Sequence, residues 1–563
     1  MSAPRHESLG DAVVLAAIGA AAAAGGMLWL WGGLAGALFG SGWPRIGVDQ
    51  LLGIGVRLPS RLSHPADAWP AVVRSRLPGP GGFYAVLALL AGVGGMVVMG
   101  ACQALASLRV ANGARWARPA ELRRLRGGRR TDRGGRLVLG RRSGRLLYAE
   151  QRHALVAFGP PQSGKSAGIA IPALLDWNGP AVACSIKTDL LAATAARRRA
   201  LGDVLVFDPF GLAQLPSHTW SPLRGAGTWD GALEVAWRLA SAAEVDRRSV
   251  EGGDFWAVAA EQRLAPLLYT AAASGAGMDS VIRWVGGQGA RELDQALMRI
   301  SGEAQDERNA ADAYAAYDAV RAFEAQADRT RTSIEATAQT LLRAYRFRRV
   351  IASAASSEIT PDRLLDGAST LYLIGDAKAS KLLRPLFLAL LGEVVDRAYE
   401  RATLAGGRLE RPLLLCLDEA GNVAPLPNLA EVASTAPSHN IQLVTIFHDL
   451  AQARSRYGQQ AETMVNSHRA RMLLPGVADL DTLRYFAGLV GEAEAPERTH
   501  TIGAGGTSRS TSHRRRPLIA PEALRQLPER HALLVYGRIA PTRLRLRLWF
   551  EDRRLRALAK GAA

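Results

Sequence analysis

Residues 154–171 read ALVAFGPPQSGKSAGIAI, and the fold turns on how this stretch is read. The apolar run 154–158 predicts a short buried strand. It opens into Gly159-Pro160-Pro161-Gln162-Ser163-Gly164-Lys165-Ser166, which fits G-x-x-x-x-G-K-[ST], and small and apolar residues from Ala167 onward start a helix. Strand, glycine-bounded loop and helix form the context that gives the motif its meaning. Gly159 and Gly164 let backbone N–H groups curl around phosphates, Lys165 reaches the β- and γ-phosphates, and Ser166 holds Mg2+. The helix amino terminus adds partial positive charge. Residues Gly159 to Ala167 are therefore the candidate ATP-binding loop. The bland alternative, a glycine-rich turn before a structural helix, is disfavoured by the elements on either side.

Outward from this loop, strands alternate with helices. Residues 181–186 (AVACSI) predict a buried strand ending at Lys187-Thr188-Asp189, and residues 204–207 predict another ending at Asp208. Lys187 and Asp208 are candidates either for nucleotide contacts or for strand capping, with no preference between the two. Residues 369–374 resume the sheet. Residues 413–417 then deliver two adjacent carboxylates, Asp418 and Glu419. Asp418 would hold Mg2+ through its water shell, and Glu419 would polarise an attacking water. Residues 442–447 form a further strand ending at His448. This alternation predicts an α/β fold with a mostly parallel sheet covered on both faces, its ligand crevice at the carboxyl edge.

Between these strands, residues 229–347 are helical in pattern. Residues 255–273 read as one amphipathic helix, and residues 276–327 as a small all-α insertion. Tyr314, Tyr317 and Phe323 recur with helical periodicity and read as core rather than as a base-stacking platform. Residues 494–516, rich in Gly, Ser, Thr and Arg, read as a flexible loop.

The 563-residue chain carries a formal charge of +18. Two uncharged stretches, within 12–39 and 83–105, are long enough to cross a bilayer. The first is too long in its apolar region for a signal peptide. Residues 108–152 carry about fourteen arginines against three acids, which places both termini in the cytoplasm and the short loop outside. That basic stretch contacts lipid headgroups or a DNA backbone. Cys102, Cys184 and Cys416 have neither disulfide nor zinc spacing.

At this point the residues match a pattern. The stretches GPPQSGKS, SIKTDL, VLVFDPFG, LYLIGD, LLLCLDEAGNVAPLPNL, DLAQARSRYG and PLIAPEALRQLPERHALLVYG follow in order. In these the chain resembles the type IV secretion coupling proteins of the TraG/TraD kind, conjugation ATPases related to FtsK-type translocases. The resemblance implies a RecA-like P-loop NTPase domain over 153–275 and 328–563, and a substrate-facing insertion over 276–327. It also implies a basic juxtamembrane linker over 108–152 and a transmembrane hairpin over 1–107. Its cofactors would be ATP and Mg2+. Its partners would be DNA or a relaxase–DNA complex, inner-membrane channel components, the bilayer of the inner membrane and further copies in a homohexamer. His448 stands where the family usually has a γ-phosphate-sensing Gln. Ala436-Pro437-Ser438-His439 stands where it usually has an arginine reaching the neighbouring subunit, so Arg454 or Arg469 would have to serve, or turnover would be slow. Two rival readings remain. One is a chromosomal DNA translocase, disfavoured by only two spans and no winged-helix tail. The other is a nucleotide-binding docking platform that hydrolyses little.

Overall fold

Strands fed by continuous apolar runs bury every position. Leu155–Phe158, Ala181–Ser185, Thr370–Ile374, Leu413–Leu417 and Ile441–Phe447 are each buried throughout, the signature of a parallel sheet covered on both faces. The computed structural model describes residues 9–108, 113–127, 135–247, 253–503 and 506–561. In chain order its strands are β1 (Val138–Arg142), β2 (Arg145–Tyr148), β3 (Leu155–Phe158), β4 (Ala181–Ser185), β5 (Val204–Phe207), β6 (Thr370–Ile374), β7 (Leu413–Leu417), β8 (Ile441–Phe447), β9 (Ala470–Leu473), β10 (Glu492–Gly503), β11 (Gly506–Pro517), β12 (His531–Tyr536) and β13 (Ile539–Arg545). Eleven of them form one sheet in the order β2-β1-β13-β12-β9-β3-β8-β7-β4-β6-β5. The run from β9 to β5 is parallel, and β12, β13, β1 and β2 extend it antiparallel.

Alternation along each strand feeds two separate cores. Val156, Phe158, Val182 and Cys184 face one, with the helical layer. Leu155, Ala157, Ala181 and Ala183 face the other, with Leu174, Leu190 and Leu555. The hairpin β1–β2 lies inside the stretch read as a basic linker over 108–152. Its Leu139 and Leu147 are buried in the second core, and Arg141 pairs with Arg545 of β13. The charge of that stretch obscured an apolar alternation (Leu137, Leu139, Leu147) that belongs to the sheet. Residues 109–112 and 128–134 of the same stretch lie outside the described residues.

The helical layer comprises Trp229–Arg247, Gly253–Ser274, Met278–Val285, Ala290–Gly302, Glu307–Glu324 and Asp328–Leu341. Two sequence readings are corrected here. Gly253–Ser274 is a core helix rather than an amphipathic one: residues 263–270 are all buried, because four later helices and Trp229–Arg247 wrap it. Tyr314 and Tyr317 are not core. The buried face of Glu307–Glu324 is Ala313, Ala316, Val320 and Phe323, which turns Tyr314 outward at 70% exposure and leaves Tyr317 under the Arg321 guanidinium at 5.0 Å.

Of residues 494–516, read as a flexible loop, 494–503 and 506–516 instead lie in the antiparallel ribbon β10–β11, with Glu494 opposite Arg515 and Gly503 opposite Gly506, and 504–505 lie outside the described residues. Polar composition suggested disorder. Threonines at 499, 501, 507 and 511 nonetheless suit a strand pair.

Residues 1–112 form a separate unit. Its two long helices are Leu9–Phe39 and Pro80–Leu108, and within them Ala22–Phe39 and Pro80–Gly100 are long and apolar enough to cross a membrane. Trp31, Trp69 and Phe83 pack together at their base, where Trp31 Nε1 donates to the Phe83 carbonyl at 2.7 Å.

Candidate nucleotide-binding site

Four neighbouring parallel strands, β3, β8, β7 and β4, end at one edge, with Phe158 level with Phe447 and Leu417 level with Cys184 and Thr445. The chain therefore delivers Gly159, His448, Asp418 and Lys187 to that edge. Gly159 donates its N–H to the Phe447 carbonyl at 3.0 Å. A Cβ there would meet Ser163 Oγ at 2.5 Å and Leu474 Cβ at 3.1 Å, so any larger residue would push Ser163 out of place. Gly164 (φ +86°) and Gln162 (φ +66°) take left-handed conformations that curl the loop. The loop runs into a π-turn, Ser166–Ala170, and the helix Ile171–Asp176.

Ser166 Oγ donates to Asp418 Oδ2 at 2.6 Å. Lys165 Nζ lies 3.5 Å from Glu419 Oε1, and His448 Nε2 lies 3.6 Å from the same oxygen. Asn422 Nδ2 donates to Glu419 Oε2 at 3.3 Å, and Gln452 Oε1 accepts from the His448 backbone N–H at 2.8 Å. Glu419 sits at φ +61°, a strained backbone for a residue with a long side chain. Burial pushes the Asp418 carboxyl up to about 6 despite the Ser166 hydrogen bond and the Lys165 charge. Burial would raise Glu419 too, but the neighbouring His448 ring, Lys165 and Asn422 outweigh it and bring that carboxyl down to about 2. Two adjacent carboxyls thus stand at different acidities.

Lys165 Nζ, Asp418 Oδ1, Ser163 Oγ and His448 Nε2 are buried with no hydrogen-bond partner. Buried polar atoms are rarely left so, and here they converge. A cavity of about 550 Å3 opens beside Lys165, Asp418 and Glu419. An ammonium, loop N–H groups, a hydroxyl and a carboxylate suit a phosphate chain and a hard oxygen-liganding cation. No group of three His, Cys, Asp or Glu side chains that could hold a metal occurs among the described residues. A cation here would depend on Ser166, Asp418 and oxygens of the ligand, the usual way of binding Mg2+.

Pro161, Gln162, Ser163, Gly164, Lys165, Ser166 and Ala167 all line this cavity, as does Lys187. Gly159 and Pro160 shape the loop without lining it. Of the two roles open to Asp208, it takes capping: it is buried, and its Oδ2 accepts from the Ala213 N–H at 2.6 Å, closing the turn after β5. Of the two alternative arginines, Arg454 is engaged by Glu462 at 2.9 Å and Asp481 at 2.7 Å. Arg469 precedes β9 and so lies at the opposite, amino edge. Sequence reading missed Asn422, Gln452, Trp549 and Phe550. Asn422 stands within the quoted DEAGN run and was given no role. Trp549 and Phe550 reach the cavity because Trp549 N–H donates to the Ala167 carbonyl at 3.1 Å, a contact across 382 positions that no local pattern reports.

A parallel sheet covered on both faces, with a glycine-bounded Lys-Ser loop at its carboxyl edge, defines the RecA-like P-loop NTPase fold. Within that class, residues 121–562 match the family described as Type IV secretory system Conjugative DNA transfer, and the chain belongs to it. The conjugal transfer protein TraG of Escherichia coli is 25% identical over 411 residues, covering 68% of this chain and 63% of its own length. VirD4 of Rhizobium rhizogenes is 24% identical over 492 residues, covering 79% of this chain and 66% of its own length. The chain thus spans about two thirds of these relatives. Among solved structures, the bacterial conjugative coupling protein TrwBdeltaN70 in an unbound form matches with a TM-score of 0.57 at 18% identity, over 78% of this chain and 93% of that one. TrwB in complex with ADP and Mg2+ matches with a TM-score of 0.56 at 17% identity, over 78% of this chain and 94% of that one. At these identities the likeness concerns the fold.

Proposed function

We propose that this chain is a membrane-anchored ATPase that couples ATP hydrolysis to recruiting DNA, or a relaxase–DNA complex, and moving it into a type IV secretion channel. The observation that carries the reading is the buried, unpartnered Lys165 ammonium beside the Ser166–Asp418 pair and Glu419. Backbone N–H groups from Gly159 to Ala167 and Lys165 would hold the triphosphate, with Trp549 and Phe550 as an aromatic wall for the base. Ser166 and Asp418 would hold Mg2+, which when bound neutralises phosphate charge. Glu419, kept ionised by its surroundings, accepts the proton of the attacking water, and His448 helps fix its carboxylate. TrwB, whose fold this chain shares, has been solved with ADP and Mg2+, and that complex supports the same ligand pair here. The helices Leu9–Phe39 and Pro80–Leu108 would anchor the chain in the inner membrane with both termini cytoplasmic. Residues 276–327 would face the substrate, and the working form would be a homohexamer joined to inner-membrane channel components.

The test is Lys165→Ala beside Glu419→Gln, each assayed for nucleotide binding, steady-state ATPase and DNA transfer. Lys165→Ala should lose binding and transfer while still inserting in the membrane. Glu419→Gln should bind ATP yet turn it over at least about a hundredfold more slowly. Normal transfer by Lys165→Ala would overturn the reading. Full transfer by Glu419→Gln would leave a docking platform instead.

A further inference from the structure

The strands that carry the nucleotide site at their carboxyl ends carry a second feature at their amino ends. The loops entering β3, β4, β7 and β8 surround a cavity of about 880 Å3. Six arginines line it, Arg136, Arg152, Arg197, Arg408, Arg411 and Arg554, against two carboxylates, Asp176 and Glu410. Asp176 is already engaged, by Arg547 from below and by Arg554 at 3.5 Å. Among the described residues, the side chains of Arg152, Arg408 and Arg411 have no hydrogen-bond or ion-pair partner, and Arg197 donates through Nη2 to Asn178 Oδ1 at 3.1 Å while its Nε is buried without a partner.

The walls are fixed rather than loose. Leu409, between Arg408 and Glu410, is buried; its N–H donates to the His439 carbonyl at 3.1 Å, and its carbonyl accepts from Asn440 Nδ2 at 2.9 Å. Trp177 Nε1 donates to the carbonyls of Pro180 and Pro412, each at 3.1 Å. A Cβ on Gly179 would meet the Pro412 carbonyl at 2.2 Å, so the floor closes only over glycine. Like charges this dense repel one another unless an anion joins them. Planar guanidinium forks match phosphate oxygens in pairs.

We propose that this arginine-lined cavity is a second phosphoryl-anion site, taking consecutive phosphate groups of a polyphosphate or phosphodiester chain. The inference does not depend on the function proposed for the carboxyl edge. Two sources share the chemistry: a nucleotide triphosphate and a nucleic-acid strand.

The test uses the full chain in detergent and inorganic tripolyphosphate as probe, at fixed ionic strength. Lys165→Ala disables the carboxyl-edge loop and should retain tripolyphosphate binding. Adding Arg408→Ala and Arg411→Ala, both exposed and unpartnered, should weaken that binding at least about tenfold. The same pair on an otherwise intact chain should leave nucleotide binding in place, which shows that the protein still folds. Displacement of the probe from Lys165→Ala by a single-stranded oligonucleotide identifies a phosphodiester ligand. Its slope of log affinity against log salt should then shrink by about 1 to 2 in the arginine variant. Displacement by ATP identifies the nucleotide. No binding to Lys165→Ala, or binding untouched by the arginine pair, overturns the proposal. Nucleotide binding that survives Lys165→Ala at full strength and is also untouched by the arginine pair would instead count against the carboxyl-edge reading alone.

Discussion

Lys165 and Arg198 are buried cations at opposite edges of one sheet, 6% and 0% exposed. Arg198 donates to Thr370 Oγ1 and to the carbonyls of Trp177, Gly179 and Ala368. Its guanidinium ties the starts of β4 and β6 together. Burial lowers its pKa to about 10, which leaves it charged in any ordinary buffer. Lys165 has a carboxylate at 3.5 Å and no hydrogen bond at all. Burial of charge is therefore no guide to role; satisfaction is. A satisfied cation holds the fold, whereas an unsatisfied one holds space for an anion.

The largest contrast should appear when each is replaced by methionine. Lys165→Met should reduce ATP turnover by about a thousandfold or more. It should leave unfolding stability within about 1 kcal/mol of the parent, because Lys165 makes no hydrogen bond whose partner would be stranded, and His448 and Asn422 stay beside Glu419 when the loose 3.5 Å ion pair is lost. Arg198→Met should do the reverse, destabilising by on the order of 3–5 kcal/mol as three carbonyls and a hydroxyl lose their donor. Nucleotide affinity per folded molecule should stay unchanged. Denaturant unfolding followed by tryptophan fluorescence, beside nucleotide binding, reads both. Equal stability loss in the two variants would break the distinction.

The same rule explains what was legible in the sequence. Lys165, Ser166, Asp418 and Glu419 stood out because each lies within a few residues of a strand end with fixed spacing, so local pattern implied shared space. Arg198 could not be told from Arg197 and Arg199 in the run Arg197-Arg198-Arg199, since its partners lie up to 172 positions away. Tyr314 and Tyr317 misled because aromatic periodicity and burial are different things once alanines fill the packed face. Asp208 stayed open in the sequence because a carboxylate at a strand end serves equally as a ligand or as a turn cap. The β1–β2 hairpin was hidden by the arginines around it.

A second pair, His448 and His468, sharpens the comparison on a smaller scale. His468 is fully buried and satisfied, with Nδ1 2.8 Å from the Met464 carbonyl and Nε2 3.0 Å from Thr445 Oγ1. Burial pulls its pKa from 6.5 down to about 4. The unfolded chain therefore takes up a proton on this ring at a higher pH than the folded one. Its stabilising contribution is whole above pH 6.5 and is lost progressively as pH falls toward 4, by on the order of 2–3 kcal/mol. His468→Gln should flatten stability against pH across that window. An unchanged pH profile in that variant would assign the acid sensitivity to other groups.

His448 should show the smallest effect, and on turnover rather than stability. Its backbone N–H is held by Gln452, a contact that survives any side-chain change, so the end of β8 stays in place. Its ring lies 3.6 Å from Glu419 Oε1 with Nε2 unpartnered, close enough to orient the carboxylate. Lys165 and Asn422 remain on Glu419 when the ring is gone. Glutamine offers a donor of similar reach, so His448→Gln should keep kcat within about tenfold of the parent. His448→Ala should lower kcat by about ten- to a hundredfold with KM for ATP little altered, the signature of a group that acts after binding. A KM rise at constant kcat would instead place His448 in holding the nucleotide, and an unaltered Ala variant would reduce it to the residue that ends the strand.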